Sequence, residues 1–213
     1  MAKKSKNSQH IFITGIGTEV GKTIISAIVT EALQADYFKP IQAGDLDYAD
    51  MDKVQSLISN DKSKFHKNSF ALNTPMSPHA AADIDGVKIE AKSVKIPNTK
   101  NTLVIEGAGG LLVPINDTET ILDLIPKDAK VVLVSRHYLG SINHTLLSVK
   151  ILQDRGIEPV IIFNGKEHPT TEAIIRKMAG CQIIGRVDEE PYFDQRVVAE
   201  YADLFKESLE ALL

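Results

Sequence analysis

The chain has a single cysteine, Cys181, which excludes disulfide frameworks and cysteine-type zinc sites within one copy. Its six histidines include no His-Glu-x-x-His pair, so that zinc pattern is missing too. No apolar run approaches the ~20 residues of a membrane span. There is no basic excess: 24 Lys and Arg stand against 28 Asp and Glu, for a net charge of −4. That balance argues against a nucleic-acid partner, which would call for a basic face. The Lys- and Ser-rich stretch Met1–Gln9 has no apolar segment behind it and is not a signal peptide. It reads as a short frayed tail. Internal repeats, low-complexity tracts and domain linkers are also lacking. These absences predict a soluble, cytoplasmic protein with no membrane or nucleic-acid partner.

What is present is an ordinary globular composition, 43% hydrophobic and 24% charged over 213 residues. At ~150 residues per domain this is one domain, expected over residues 10–213. A chain of this size buries on the order of 70% of its unfolded surface and needs no metal or disulfide staple.

Short apolar runs alternate with longer helical patterns. The runs are His10–Thr14, Tyr37–Lys39, Leu103–Glu106, Val131–Ser135, Val160–Asn164 and Gln182–Gly185. Most are apolar at every position, which predicts strands covered on both faces, as in a parallel sheet. Helical periods run from Thr23, from Ile142 with Gly156 as the stop, and from about Asp194 to the C-terminus. Strand–helix alternation predicts an α/β doubly wound fold with a mainly parallel twisted sheet. Asn60–Ser77 is expected to be surface loop with one helical piece.

The first strand enters Gly15-Ile16-Gly17-Thr18-Glu19-Val20-Gly21-Lys22-Thr23, and a helix follows. This is the setting of a phosphate-binding loop. Glycines let backbone N–H groups turn inward around phosphate, and the helix start adds partial positive charge. Lys22 would reach the β/γ-phosphates and the Thr23 hydroxyl would ligate Mg²⁺. The common GxxxxGK[ST] form asks for glycine where Ile16 stands; here the first glycine comes one residue earlier.

Four more segments carry chemistry. Glu106-Gly107-Ala108-Gly109-Gly110 ends the third run and puts a carboxylate at the sheet edge where such folds bind ligands; it suits Mg²⁺. Lys39-Pro40-Ile41-Gln42-Ala43-Gly44 ends the second run, and because Pro40 cannot continue a ladder, Lys39 leaves at the same edge. A compact cation there suits phosphoryl transfer to an anionic acceptor. Asp45-Leu46-Asp47-Tyr48-Ala49-Asp50-Met51-Asp52 resembles a calcium loop only loosely; one of its carboxylates would close the Mg²⁺ shell and the others open a helix. Leu139-Gly140-Ser141-Ile142-Asn143-His144 turns a strand end into a helix, where N–H groups hold a carboxylate or Ser141 simply caps. Ser77-Pro78-His79 also reads as a helix start.

Taken in order, these segments resemble the dethiobiotin synthetase family over nearly the whole length. The carriers are GxxxEVGKT at Gly15–Thr23, KPIQAG at Lys39–Gly44, SPH at Ser77–His79, EGAGGLLVP at Glu106–Pro114, LGSINH at Leu139–His144 and the strand end at Asn164. The displaced first glycine is part of that family's form. The resemblance implies a P-loop-like ATP-dependent ligase and a homodimer. Its substrates would be ATP, 7,8-diaminononanoate and CO₂, with Mg²⁺ as cofactor.

It also implies roles. Thr18, Glu19, Val20, Gly21, Lys22, Thr23 and Ile24 match the phosphate loop, and Gly107, Ala108 and Gly109 join the nucleotide site beside Glu106. Thr23, Asp50 and Glu106 match the metal ligands; Asp50 is chosen because Val54 then falls on an apolar position, and Asp52 is the alternative. Lys39 matches the catalytic lysine, beside Lys22 on the phosphates. Asn164 and Gly165 match the adenine-contacting pair. Gly140, Ser141, Ile142 and Asn143 match the segment that holds the substrate carboxylate from the second subunit.

Two departures stand out. Ala43 replaces a hydroxyl residue common in the family, so one hydrogen bond to the carbamate is absent or made by water. The last strand runs Gly185-Arg186-Val187-Asp188, where many members have a proline near the base. Two rivals share the loop chemistry. A ParA/MinD-like ATPase switch carries a lysine early in the loop, and Gly15–Val20 has none. The ligases that amidate corrin rings add a glutaminase domain with a nucleophilic cysteine, and Cys181 lies in no such setting.

Overall fold

β1 (His10–Gly15) is buried from Ile11 onward, and its side chains divide by parity. Ile11 and Ile13 enter one apolar core, while Phe12 enters a second core on the other face. A pleated strand sends successive residues to opposite faces, so an apolar strand needs cover on both. The other central runs repeat the division: Tyr37 and Val104 join the first core, and Phe38, Leu103 and Ile105 the second.

The computed structural model describes residues 9–213. After β1 come α1 (Lys22–Leu33), β2 (Asp36–Phe38), β3 (Ile41–Ala43), α2 (Asp50–Leu57), β4 (Phe65–His66), β5 (Phe70–Leu72) and α3 (Pro78–Asp85). β6 (Leu103–Gly110), β7 (Lys130–Arg136), α4 (Ser141–Asp154), β8 (Val160–Asn164), α5 (Pro169–Ala179), β9 (Ile183–Val187) and α6 (Gln195–Glu210) complete the order. Seven strands form one sheet in the order β4-β2-β6-β1-β7-β8-β9, with every pairing parallel. The α/β expectation holds. From β1 the chain builds outward to β2 and β4, returns with β6 beside β1, then continues through β7 to β9. Growth reverses at β1, and such a switch point opens a crevice at the strands' C-terminal ends. No helix among the described residues is long and apolar enough to cross a membrane.

Several boundaries differ from expectation. Asn60–Ser77 holds no helix; it carries β4 and β5. After Pro40 the chain resumes as β3, which pairs with β5 in a separate two-stranded sheet. Proline stopped one ladder and three residues began another. Ser141 does not cap α4. Gly140 does, at φ 103°, and Ser141 is the buried first helical residue. Gln9, counted with the tail, already accepts the Leu103 amide at 2.9 Å; the rest of the tail lies outside the described residues. α6 begins as expected, with the Asp194 carboxylate accepting the Val197 amide at 2.9 Å.

Asp36 anchors the opposite end of the sheet from the crevice. It is fully buried and accepts hydrogen bonds from Thr99 Oγ1 (2.7 Å), Asn101 Nδ2 (3.1 Å), the Lys64 amide (3.1 Å) and His66 Nε2 (3.2 Å). Burial alone would push its carboxyl up, but these donors outweigh burial and hold it below the ordinary aspartate value. Asp36→Ala is expected to cost ~1–2 kcal/mol by removing the acceptor that four part-buried donors share, read as a lower urea midpoint at unchanged slope. Because the folded pKa is depressed, the carboxylate's contribution is complete above the unfolded value of 3.8. It fades as pH falls through the folded value, so the gap between wild type and variant should shrink in acid.

Candidate active site

The crevice beside β1 is a cleft of about 810 Å³. Its floor is the loop between β1 and α1. Glu19 and Gly21 both adopt left-handed backbone, at φ 56° and φ 95°, which wraps the chain into the start of α1. Gly21 is required twice over. Its φ disfavours any side chain, and a Cβ there would lie 2.1 Å from Asn164 Nδ2. Asn164, from the end of β8, donates that amide to the Val20 carbonyl at 2.9 Å and so fastens the loop across the sheet.

Three charged side chains meet at the loop's far side. Glu106 is wholly buried. It accepts from Thr23 Oγ1 at 3.1 Å, from Tyr37 Oη at 2.9 Å and from Lys39 Nζ at 3.1 Å. Lys39 Nζ also donates to Asp50, whose other oxygen accepts from Lys53 Nζ at 3.2 Å. The ammonium thus sits between two carboxylates. Burial would push the Lys39 amine down, but Glu106 and Asp50 raise it on balance. Burial also works against the Asp50 carboxylate, and Lys39 and Lys53 hold it below its ordinary value. Tyr37, buried beside Glu106 and Asp50, has its phenol pushed well above the ordinary range and stays a donor. Lys22 donates to the Gly17 carbonyl at 2.9 Å. Its amine is brought down to about 8, chiefly by burial, with the neighbouring Lys39 adding to the effect.

Of the residues expected at the site, Thr18, Glu19, Gly21, Lys22, Thr23, Ile24, Lys39, Asp50, Glu106, Ala108, Gly109, Asn164 and Gly165 line this one cleft. Val20 and Gly107 do not. The Val20 side chain is buried in the core against Gly15, and Gly107 packs against Phe12 and Ile121. Gly140, Ser141, Ile142 and Asn143 also lie outside the lining, at the start of α4. The two aspartates of α2 are sorted by their hydrogen bonds: Asp50 faces Lys39, while Asp52 turns back to accept the Ala49 amide at 2.8 Å.

A family model described as an AAA domain matches residues 9–197. The ATP-dependent dethiobiotin synthetase BioD of Christiangramia forsetii is 64% identical over 93% of this chain and 96% of its own. The protein of the same name from Cytophaga hutchinsonii is 47% identical over 90% of this chain and 94% of its own. The chain belongs to the ATP-dependent dethiobiotin synthetase family. Among solved structures, a ParA family ATPase from Chlorobium tepidum aligns with a TM-score of 0.55 at 14% identity, over 96% of this chain and 92% of its own. The MinC:MinD cell division protein complex of Aquifex aeolicus aligns at 0.54 and 13% identity, over 96% of each chain. Identities this low speak to fold alone. The dethiobiotin synthetases and the ParA/MinD rival share an architecture, and sequence separates them.

Other residues line the cleft without having been expected there. They include Gln42, Met76, Arg136, Glu189, Glu190 and Phe193. Tyr37 had a readable signal: it stands two residues before Lys39, and alternate residues share a strand face. Arg136 and Glu189 had none, because they meet only when the ends of β7 and β9 come together. Gly21→Ala is expected to displace Asn164 and to strain the loop by ~1–2 kcal/mol. Calorimetric titration with ATP should then find binding weakened by at least about 10-fold.

Proposed function

We infer that this cleft closes the ureido ring of dethiobiotin from 7,8-diaminononanoate and CO₂ at the expense of ATP. The chain is an ATP-dependent ligase of its family. The single observation that carries the detailed reading is Lys39, a buried ammonium set between Asp50 and Glu106 beside the phosphate loop. A cation held there meets both a phosphate and an anionic acceptor.

Chemistry follows in three steps. One substrate amine takes up CO₂ and loses a proton, giving a carbamate. A carbamate oxygen attacks the γ-phosphorus of ATP, and ADP leaves. The second amine then attacks the carbon of the mixed anhydride, and phosphate leaves as the ring closes. No protein nucleophile takes part; the chain supplies position and positive charge. Lys22 exchanges the Gly17 carbonyl for phosphate oxygens, and Lys39 steadies the carbamate and the transferring group. The loop amides from Gly21 to Ile24 face the phosphates at the start of α1. Asn164 and Gly165 meet the adenine.

Thr23, Asp50 and Glu106 would hold Mg²⁺. The fit is good: all three offer hard oxygen atoms, and Thr23 and Lys39 already converge on one oxygen of Glu106. Mg²⁺ needs few protein ligands because water and phosphate complete its shell. When bound, the ion neutralises charge on the phosphate oxygens. Asp52, spent on the Ala49 amide, is left out of this set.

The Gly140–Asn143 segment serves a second copy of the chain. Asn143 is exposed, and Tyr138, Leu139, Ile142 and Leu147 form exposed apolar surface on the same segment and helix. A partner covering that surface would receive Asn143 and the α4 amides near its own cleft, where they suit the substrate carboxylate. The aliphatic chain of the substrate spans the distance from there to Lys39.

The primary test is ADP release with diaminononanoate and bicarbonate, compared with ATP alone; release that ignores the acceptor refutes the ligase reading. Lys39→Ala is expected to lower kcat by 10²–10³, or about 3–4 kcal/mol, and more than a tenth of the rate remaining would remove Lys39 from the chemistry. Asp50→Asn should raise the Mg²⁺ concentration needed for half-maximal rate, while Asp52→Asn should act on stability alone, through its cap. The reverse pattern assigns the metal to Asp52. For the shared site, mixing inactive Lys39→Ala chains with inactive Asn143→Ala chains should restore part of the activity. One of the two sites in a mixed dimer carries neither lesion. A mixture that exchanges subunits and stays inactive refutes sharing.

A further inference from the structure

The connector from Asp188 to Asp194, between β9 and α6, has no regular secondary structure. Even so, Asp188, Glu189, Glu190 and Phe193 line the cleft at the end marked by Asn164 and Gly165. A loop without its own ladder keeps a fixed place only if side chains tie it down. Here the tie at the loop's first residue runs through Arg186, which carries it on to α5. Arg186, on β9, donates from Nε to Asp188 at 2.6 Å and from Nη1 to Glu172 at 2.8 Å, and it faces Glu167 at 3.5 Å. Glu172 is in turn bonded to His137 Nε2 at 3.1 Å. The guanidinium therefore links β9 to α5, to the end of β7 and to the connector. It also sets one positive charge among three carboxylates that repel one another. Tyr201 adds two more ties, its hydroxyl accepting the Asp188 amide at 3.0 Å and donating to Glu190 at 2.7 Å, and Arg136 faces Glu189 at 3.8 Å.

The wall held in this way is rich in acceptors. It carries the carboxylates of Asp188, Glu189 and Glu190. Asn164 has committed its amide nitrogen to Val20, which leaves its oxygen as an acceptor as well. Acceptors suit a base that carries an exocyclic amino group and oppose one that carries a keto oxygen in its place. We propose that Arg186 is the positioning residue for base selection: by clamping Asp188 against β9 and α5, it keeps the Asp188–Glu190 wall where it meets the amino group of adenine. Arg186 itself is not assigned contact with the nucleotide. The proposal rests on the nucleotide-site reading above, and it adds a residue that the phosphate-loop chemistry does not use.

The test compares ATP with ITP, which exchanges the amino group for a keto oxygen, by calorimetric titration of the full chain with Mg²⁺ and without the diamine. Wild type should bind ATP the more tightly. Arg186→Met should weaken ATP binding about 10-fold and reduce the ATP-to-ITP preference about 5-fold, at unchanged stoichiometry. Arg186→Lys, which keeps the charge but not the fork, should fall between. Arg196→Met removes only an exposed ion pair to Glu200 on α6 and should match wild type. A role in folding alone would lower the number of sites equally for both nucleotides and leave the preference intact. The proposal is overturned if wild type does not distinguish the two nucleotides, or if folded Arg186→Met keeps the wild-type preference. Should Arg186→Met fail to fold, a wild-type preference in Arg186→Lys overturns it as well. The ligase reading fails separately, by absence of ADP release with the diamine in wild type.

Discussion

Everything at the cleft depends on the ammonium of Lys39 lying between Glu106 and Asp50. Glu106 is wholly buried on a central strand, where an unpaired carboxylate would carry a heavy desolvation cost. Lys39, Tyr37 and Thr23 together remove that cost, and they come from the end of β2, from β2 itself and from α1. Two separate elements are thus drawn to one oxygen pair on β6. Buried ion pairs are a weak source of stability compared with apolar packing. Their presence here fits the proposed chemistry, in which the same charges would face phosphate and acceptor.

The sheet makes that meeting possible. β1 lies between β6 and β7, and the chain changes direction of growth there. The phosphate loop follows β1, Glu106 lies on β6, and Lys39 follows β2 on the far side of β6. All are parallel strands, so all their C-terminal ends open on one edge. On the other flank, Asn164 ends β8 and reaches back over Gly21 to the Val20 carbonyl. The loop is therefore braced from both sides, by charge toward β6 and by an amide toward β8.

The two ends of the cleft are built differently. The phosphate end is compact and buried, and much of it is main chain. The base end is a surface connector held by ionic bonds among Arg186, Glu172 and Asp188. Surface ion pairs hold geometry weakly when single, but one guanidinium shared among several carboxylates orients all of them. That contrast fits the proposed division of labour: triphosphate binding calls for backbone amides that any such loop offers, whereas base recognition would be left to side chains.

The strand–helix alternation, the phosphate loop, Glu106, Lys39 and Asn164 were all legible from order and spacing, because each is a local pattern: an apolar run, a Gly-rich turn, a residue at a strand end. The Asp50 and Asp52 question was not local. It is α2 that turns Asp52 back onto the Ala49 amide and leaves Asp50 toward Lys39. Val20 sits inside a motif and still points into the core, since a motif specifies its backbone path and packing decides each side chain. β3, β4 and β5 escaped notice because strands of two or three residues carry too little periodicity to read. The strand order, and with it the meeting of Arg136, Arg186, Glu172 and the Asp188–Glu190 connector, belongs to the tertiary structure alone. Arg136 is far from the others in the chain, and only the pairing of β7 with β8 and of β8 with β9 brings these strand ends together. Sequence by itself determined which chemistry this protein performs; the tertiary structure decided which side chains face it.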